Sequence, residues 1–236
     1  DPFLNVNGQC LHSDDIALLQ AFIDNSYASG IDLGCENSSI YCGSPNPYMD
    51  DLDAWFWIIV DSTYYQSGTY NGFQNGNGLV EPLELGLQEW DDGRLTSIMC
   101  GAYIYCNLSG PIPEEISTLT ETSVLRFEYN YLSGFVPEAI CDLDINNDDY
   151  LEFDLTGNKL CPPYPECVGG GNFWYQDTSS CSEIGDINFD LTINIQDIIL
   201  LISFIIYDVE LDYQEFIAAD FNLDGSLDVL DVVVVH

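Results

Sequence analysis

The sequence predicts an α+β chain in two parts: a short, capped solenoid of repeated turns, then a small α-helical module built on two acidic loops. Three observations carry that expectation. A Leu-Ser-Gly segment repeats in the middle of the chain, two acidic loops recur in register near the end, and nine cysteines are spread over 236 residues. The expected organisation is an N-terminal cap region over 1–93, repeats with a C-terminal cap over 94–168, a linker over 169–184 and the loop module over 185–236.

Residues 10–24, CLHSDDIALLQAFID, place Ile16, Leu18, Leu19, Phe22 and Ile23 at a helical spacing. Ser13 is the expected N-cap, with Asp14 and Asp15 in the first turn, where the helix dipole favours negative charge. Residues 25–72 are rich in turns, with Ser-Pro-Asn-Pro at 44–47. The aromatic run there, Trp55, Phe56 and Trp57 followed by Ile58, Ile59 and Val60, reads as a buried strand or short helix in preference to a sugar-binding platform.

Residues 73–84 have the outline of a degenerate oxygen-rich loop. Asn75 and Asn77 fill its positions 3 and 5, Gly78 position 6, Leu79 the position that offers a carbonyl, Val80 the apolar position and Glu84 the last. Phe73 stands at position 1, where a carboxylate belongs, so the stretch reads either as a third calcium loop or as a plain structural turn.

From about residue 94 a repeat sets in. Leu108-Ser-Gly-Pro-Ile-Pro113-Glu-Glu-Ile116 recurs as Leu132-Ser-Gly-Phe-Val-Pro137-Glu-Ala-Ile140, an offset of 24 residues, and a third copy around Asn158 and Leu160 follows by 28. Leu125, Phe127, Leu132, Val136, Ile140 and Leu143 are the expected inward-facing positions. Asn130 and Asn158 recur where side-chain amides can satisfy backbone groups of neighbouring turns. At the first copy Cys106 replaces that asparagine, and a disulfide is the expected substitute. The pattern resembles the 24-residue leucine-rich repeat of plant type, and the helix over 10–24 beside a cysteine is similar to that family's N-terminal cap.

Nine cysteines in a chain of this size predict disulfides and an oxidising, secreted setting, extracellular or at a cell surface. Their odd number leaves at least one thiol free or paired between chains. No signal peptide is visible, as in a mature chain, and no apolar run reaches the roughly 20 residues of a membrane span. Asn37-Ser-Ser and Asn107-Leu-Ser match the N-glycosylation acceptor pattern.

The last fifty residues carry the sharpest signal. Asp186, Asn188, Asp190, Thr192, Asn194 and Asp197 map onto Asp220, Asn222, Asp224, Ser226, Asp228 and Asp231 by a constant shift of 34. Side-chain oxygens at positions 1, 3, 5, 9 and 12, with a carbonyl at 7, are what the six to eight oxygens of a Ca²⁺ shell require. Two calcium sites are therefore expected here, with the loop over 73–84 as the third candidate. Ile193 and Leu227 at position 8 anchor each loop to a core, and an apolar run follows each. The segment resembles the dockerin family, whose fold is a pair of loop–helix calcium motifs and whose role is to plug into a cohesin partner. That resemblance implies partner contact through positions 10 and 11, here Ile195 and Gln196, then Val229 and Leu230. Leu191 departs from the family at position 6, where the sharp turn favours glycine.

Forty acidic residues face only Arg94, Arg126 and Lys159, a formal charge of −37 that two Ca²⁺ would change to −33. Such a chain repels nucleic acid and is not expected to insert into membranes. His12 and His236 lie in no nucleophile motif, so no enzyme is expected, a polysaccharide-processing component being the remote alternative. Arg126, Glu128, Glu152, Asp154 and Thr156 suit a recognition surface better, with carbohydrate among its candidate ligands. Together the two resemblances imply a bacterial surface or matrix protein. The expected role is non-catalytic, calcium-dependent adhesion or assembly, docking to a protein partner or to the next copy of itself in a homopolymer. An adaptor anchored to a cohesin-like receptor is the alternative.

Overall fold

In a computed structural model of the chain the described residues are 2–34, 42–61, 64–69, 72–101, 104–168, 173–181, 184–189, 192–207, 209, 211, 213–222 and 226–234. They divide into two compact units, Asp1–Asp177 and Thr178–His236, the division falling inside the stretch expected as a linker.

The first unit is a mixed α/β body, and the repeats do not build the capped solenoid expected of them. Its strands form several small sheets instead. Strands β1 (Phe3–Val6) and β2 (Gln9–His12) make one antiparallel hairpin, β3 (Trp55–Asp61) and β4 (Tyr64–Thr69) another. Strands β5 (Leu87–Asp91), β6 (Arg94–Met99), β8 (Val124–Arg126) and β10 (Phe153–Asp154) form a four-stranded sheet, antiparallel between β5 and β6 and parallel elsewhere. A three-stranded parallel sheet joins β7 (Ser109–Gly110), β9 (Tyr131–Phe135) and β11 (Lys159–Cys161).

A solenoid repeats one spacing from turn to turn. Here Ser97 pairs with Val124 and Leu125 with Phe153, offsets of 27 and 28, whereas Ser109 pairs with Tyr131 and Ser133 with Lys159, offsets of 22 and 26. The 24-residue offset of the Leu-Ser-Gly motif is the offset of none of these pairs. Helix α1 (Ser13–Ala28) then closes over the strands, so that Leu18, Leu19, Phe22 and Ile23 share one core with Leu125, Phe127 and Phe153. The rings of Phe22 and Phe127 meet edge to face at 4.9 Å.

The helix cap also differs from expectation. Strand β2 runs straight into α1, making His12 the last extended residue, and its Nδ1 accepts the Asp14 N–H at 3.4 Å. Ser13 is displaced from the capping role, and its own N–H is spent on the Pro2 carbonyl at 2.7 Å. Trp55 opens β3 half exposed, while the side chains of Phe56, Trp57, Ile58, Ile59 and Val60 lie outside the described residues.

The amide ladder is present. Asn130 donates to the carbonyls of Cys100 and Phe127 and accepts from Leu108, and Asn158 donates to Phe127 and Leu155 and accepts from Leu132. A Cys100–Cys106 disulfide stands where the first asparagine is missing. Cys141 is bonded to Cys167, and Cys42, Cys161 and Cys181 are also in disulfides, whereas Cys10 is an exposed free thiol. These bonds are compatible with an extracellular protein. No described helix is long and apolar enough to cross a membrane.

In the second unit the dockerin-like helical module is not seen as such. Helices α2 (Ile195–Tyr207), α3 (Tyr213–Ala219) and α4 (Val229–Val234) are unequal, with 13, 7 and 6 residues. Among the described residues their main apolar core has three buried members, Ile187, Leu201 and Ala219, with Leu200, Phe204, Ile205, Leu211, Leu227 and Val232 partly buried around them. Gly185 (φ +101°) admits the Phe221 ring where a Cβ would stand, which brings the approach to the first loop against the second.

Candidate functional site

Each acidic loop of the second unit is drawn closed by its last residue. The Asp197 carboxylate accepts the Asn188 N–H at 3.2 Å through Oδ1 and the Asn194 N–H at 2.8 Å through Oδ2. The Asp231 carboxylate accepts the Asn222 N–H at 3.3 Å through Oδ1 and the Asp228 N–H at 2.9 Å through Oδ2. In loop numbering both join position 12 to positions 3 and 9.

The bond to position 9 has a local cause. Asn194 and Asp228 immediately precede α2 and α4, and their side chains accept the N–H groups of Gln196 and Leu230. A carboxylate three residues into the helix that reaches back to the cap N–H is one half of a capping box. The bond to position 3 has no such local cause, because it spans the loop.

Position 1 is as deeply placed as position 12. Asp186, Asp197, Asp220 and Asp231 are all buried, at 0–2% exposure. Asn188, Asn194, Asn222 and Asp228 are half-buried, and Thr192 and Ser226 are exposed. Asp190 and Asp224, at position 5, lie outside the described residues, as does Leu191. Ile195, Gln196, Val229 and Leu230, the expected partner contacts, are all exposed.

The degenerate loop over 73–84 repeats the same closure. Glu84 accepts the Asn75 N–H at 3.2 Å through Oε1 and the Glu81 N–H at 2.9 Å through Oε2, again positions 3 and 9. Pro82–Glu84 is a short 3-10 turn capped by Glu81, so this loop too leads into helical backbone. Asn75 and Asn77 are exposed and turn the chain by accepting the N–H groups of Asn77 and Leu79.

Position 1 of that loop is filled from elsewhere in the chain. Phe73 supplies no oxygen, but Asp50, at the end of a 3-10 turn over Pro47–Asp50, is 3% exposed and points into the loop. Its Oδ1 accepts from Asn75 at 3.3 Å and Gly76 at 2.7 Å, and its Oδ2 from Gly78 at 2.6 Å. Burial pushes the Asp50 carboxyl upward, but the N–H groups of Gly78, Gly76 and Asn75 outweigh it and hold the group below its ordinary value. Burial lifts Glu84 to about 7, with the negative charges of Asp50 and Glu81 adding to the rise and the Glu81 N–H opposing it. Sequence reasoning missed Asp50. It stands 25 residues before Asn75, and no local pattern marks it.

Among the described residues no group of three or more His, Cys, Asp or Glu is arranged to hold a metal ion. Each loop of the second unit sets two buried acids among further carboxylate, asparagine, hydroxyl and carbonyl oxygens. Their fit to a hard cation rests on charge. Residues 178–236 contain no Lys or Arg, yet four aspartates there are buried. In the first unit Arg94 is committed to Asp15 and Arg126 to Glu128, while Lys159 lies over the Tyr131 ring. The residues present therefore suit a divalent cation bound by oxygen.

The remaining candidate sites are placed as follows. The Asn107 side chain is mostly buried and donates to the Gly43 carbonyl at 3.1 Å, a bond a glycan would displace; Asn37 lies outside the described residues. Glu128, assigned to a recognition surface, is buried against Arg126, and burial raises its carboxyl despite that guanidinium. No protein-family model matches the chain, and no curated protein matches it.

Proposed function

We propose that this is a non-catalytic, secreted protein of calcium-dependent adhesion or assembly, in which Ca²⁺ bound by the loops orders a face that docks to a protein partner or to the next subunit. The observation that carries this is the burial of Asp186, Asp197, Asp220 and Asp231 in a segment without Lys or Arg. Burying a carboxylate without a compensating charge is costly, and a cation among the paired acids removes the cost. The closure shared by three loops supports a third site, with Asp50 completing the one over 73–84. Calcium would contribute the central charge and a fixed set of oxygens, while the chain's own residues close the loops and start the helices that follow.

Calorimetric calcium titration of the full chain tests the proposal. Uptake of about three ions per chain is expected, with the second unit gaining helix content on binding. A chain that takes up no calcium and unfolds identically with and without a chelator overturns it.

A further inference from the structure

Helix α2 is apolar on both faces. Leu201 is fully buried, and Leu200, Phe204 and Ile205 pack beside it. On the opposite face Ile195, Ile199, Ile202 and Ile206 recur at i, i+4, i+7 and i+11. Helix α4 packs against α2 and exposes Val229 and Val233. All six are 38–67% exposed. A helix with a second apolar row opposite its buried one exposes a stripe of surface suited to being covered. Its exposed area is on the order of 700 Å², close to the ~800 Å² each partner contributes to a standard protein interface.

Charge decides what covers it. Residues 178–236 hold twelve Asp and Glu and no Lys or Arg, so even two bound Ca²⁺ leave a formal charge of −8. Another copy of the chain has few cations to offer in return: Arg94 and Arg126 are in ion pairs, and Lys159 is the remaining base. A homotypic contact through this stripe would bring acidic surface against acidic surface. We infer that the stripe is the docking face for a basic amphipathic segment of another protein. Its apolar side fills the isoleucine row, and its Lys and Arg answer the module's net negative charge. This rests on the docking function proposed above and narrows it to a partner other than the chain itself.

The test uses the full chain saturated with calcium and three synthetic helical peptides: a Leu/Lys amphipath, a Leu/Glu amphipath of the same pattern, and a Ser/Lys peptide of equal charge without an apolar face. The Leu/Lys peptide should bind at least about 30-fold tighter than the Ser/Lys peptide, with no binding of the Leu/Glu peptide. Ile199→Gln combined with Ile202→Gln should weaken Leu/Lys binding about 10-fold or more while leaving calcium stoichiometry and helix content unchanged. Equal affinity for the two Lys peptides, or affinity indifferent to the double substitution, overturns the inference. So does a calcium-dependent dimer in sedimentation, or binding to phosphatidylcholine vesicles in place of the peptide. Absence of calcium uptake in the same titration is a different result, and it refutes the functional proposal itself.

Discussion

Replacing Asp50 by asparagine isolates the contribution of a residue outside the loop it serves. The carboxylate is 97% buried and receives three N–H groups, from Asn75, Gly76 and Gly78, at 2.6–3.3 Å. Asparagine keeps the oxygen that serves Asn75 and Gly76 but turns an NH₂ group towards the Gly78 N–H, donor against donor. One part-buried donor left unpaired costs at most about 1–3 kcal/mol. In a unit of this size that lowers the melting temperature by roughly 2–10 °C when calcium is absent. With calcium present the loss is larger, because the site over 73–84 loses its only carboxylate besides Glu84 and Glu81. Calorimetric unfolding with and without a chelator, together with calcium titration, separates the two effects. Asp50→Asn should take up one ion fewer than wild type, and the calcium-induced rise in melting temperature of the first unit should shrink. Unchanged stoichiometry and affinity in a folded Asp50→Asn chain would refute the assignment and leave Asp50 as a residue that merely satisfies a turn.

Two further outcomes follow from buried charge in the first unit. Asp15 is fully buried, holds Arg94 through two bonds of 2.8 Å and accepts the Leu95 N–H at 2.9 Å, so Asp15→Ala should cost about 3–5 kcal/mol in denaturant unfolding; a loss under about 1 kcal/mol would contradict this. Glu128 is raised by burial, so its ionisation is less favourable in the folded chain than in the unfolded one. That penalty is absent below the unfolded value and grows as pH rises towards the folded value. Wild type should therefore lose stability relative to Glu128→Gln as pH is raised above the ordinary carboxyl range, and parallel stability curves for the two proteins would show the penalty to be absent.

Local periodicity was enough to anticipate α1 and the amide ladder, because each depends on residues a few positions apart or on a repeated single asparagine. A disulfide at Cys106 in place of the first ladder amide was anticipated, but its partner, Cys100, was not. The sheets were not legible. A parallel pair takes its register from the lengths of the turns that separate its strands, and Ser109 pairs with Tyr131 at 22 residues, two fewer than the Leu-Ser-Gly repeat shows. The cap of α1 was misread because Ser13 has the preferred chemistry, while the preceding hairpin decided which residue was last in extended backbone.

Asp50 shows why a loop read as a window of twelve residues is incompletely read. The same closure, one carboxylate oxygen on position 3 and the other on position 9, forms whether position 12 is Asp197, Asp231 or Glu84. Capping accounts for the bond to position 9 in each. The bond across the loop to position 3 instead draws the chain into a ring, and a ring of oxygens gains most when a cation sits within it. In the second unit this gain bears directly on folding. Among the described residues its principal apolar core has three buried members, with six partly buried ones packed around them, a small core on which a bound cation would have a large effect. The first unit has a continuous core from α1 to Phe173, two ladders of parallel strands and two defined disulfides, so it does not depend on its loop in the same way. On the proposed function calcium should therefore tune the first unit and assemble the second, the unit that carries the exposed stripe of α2.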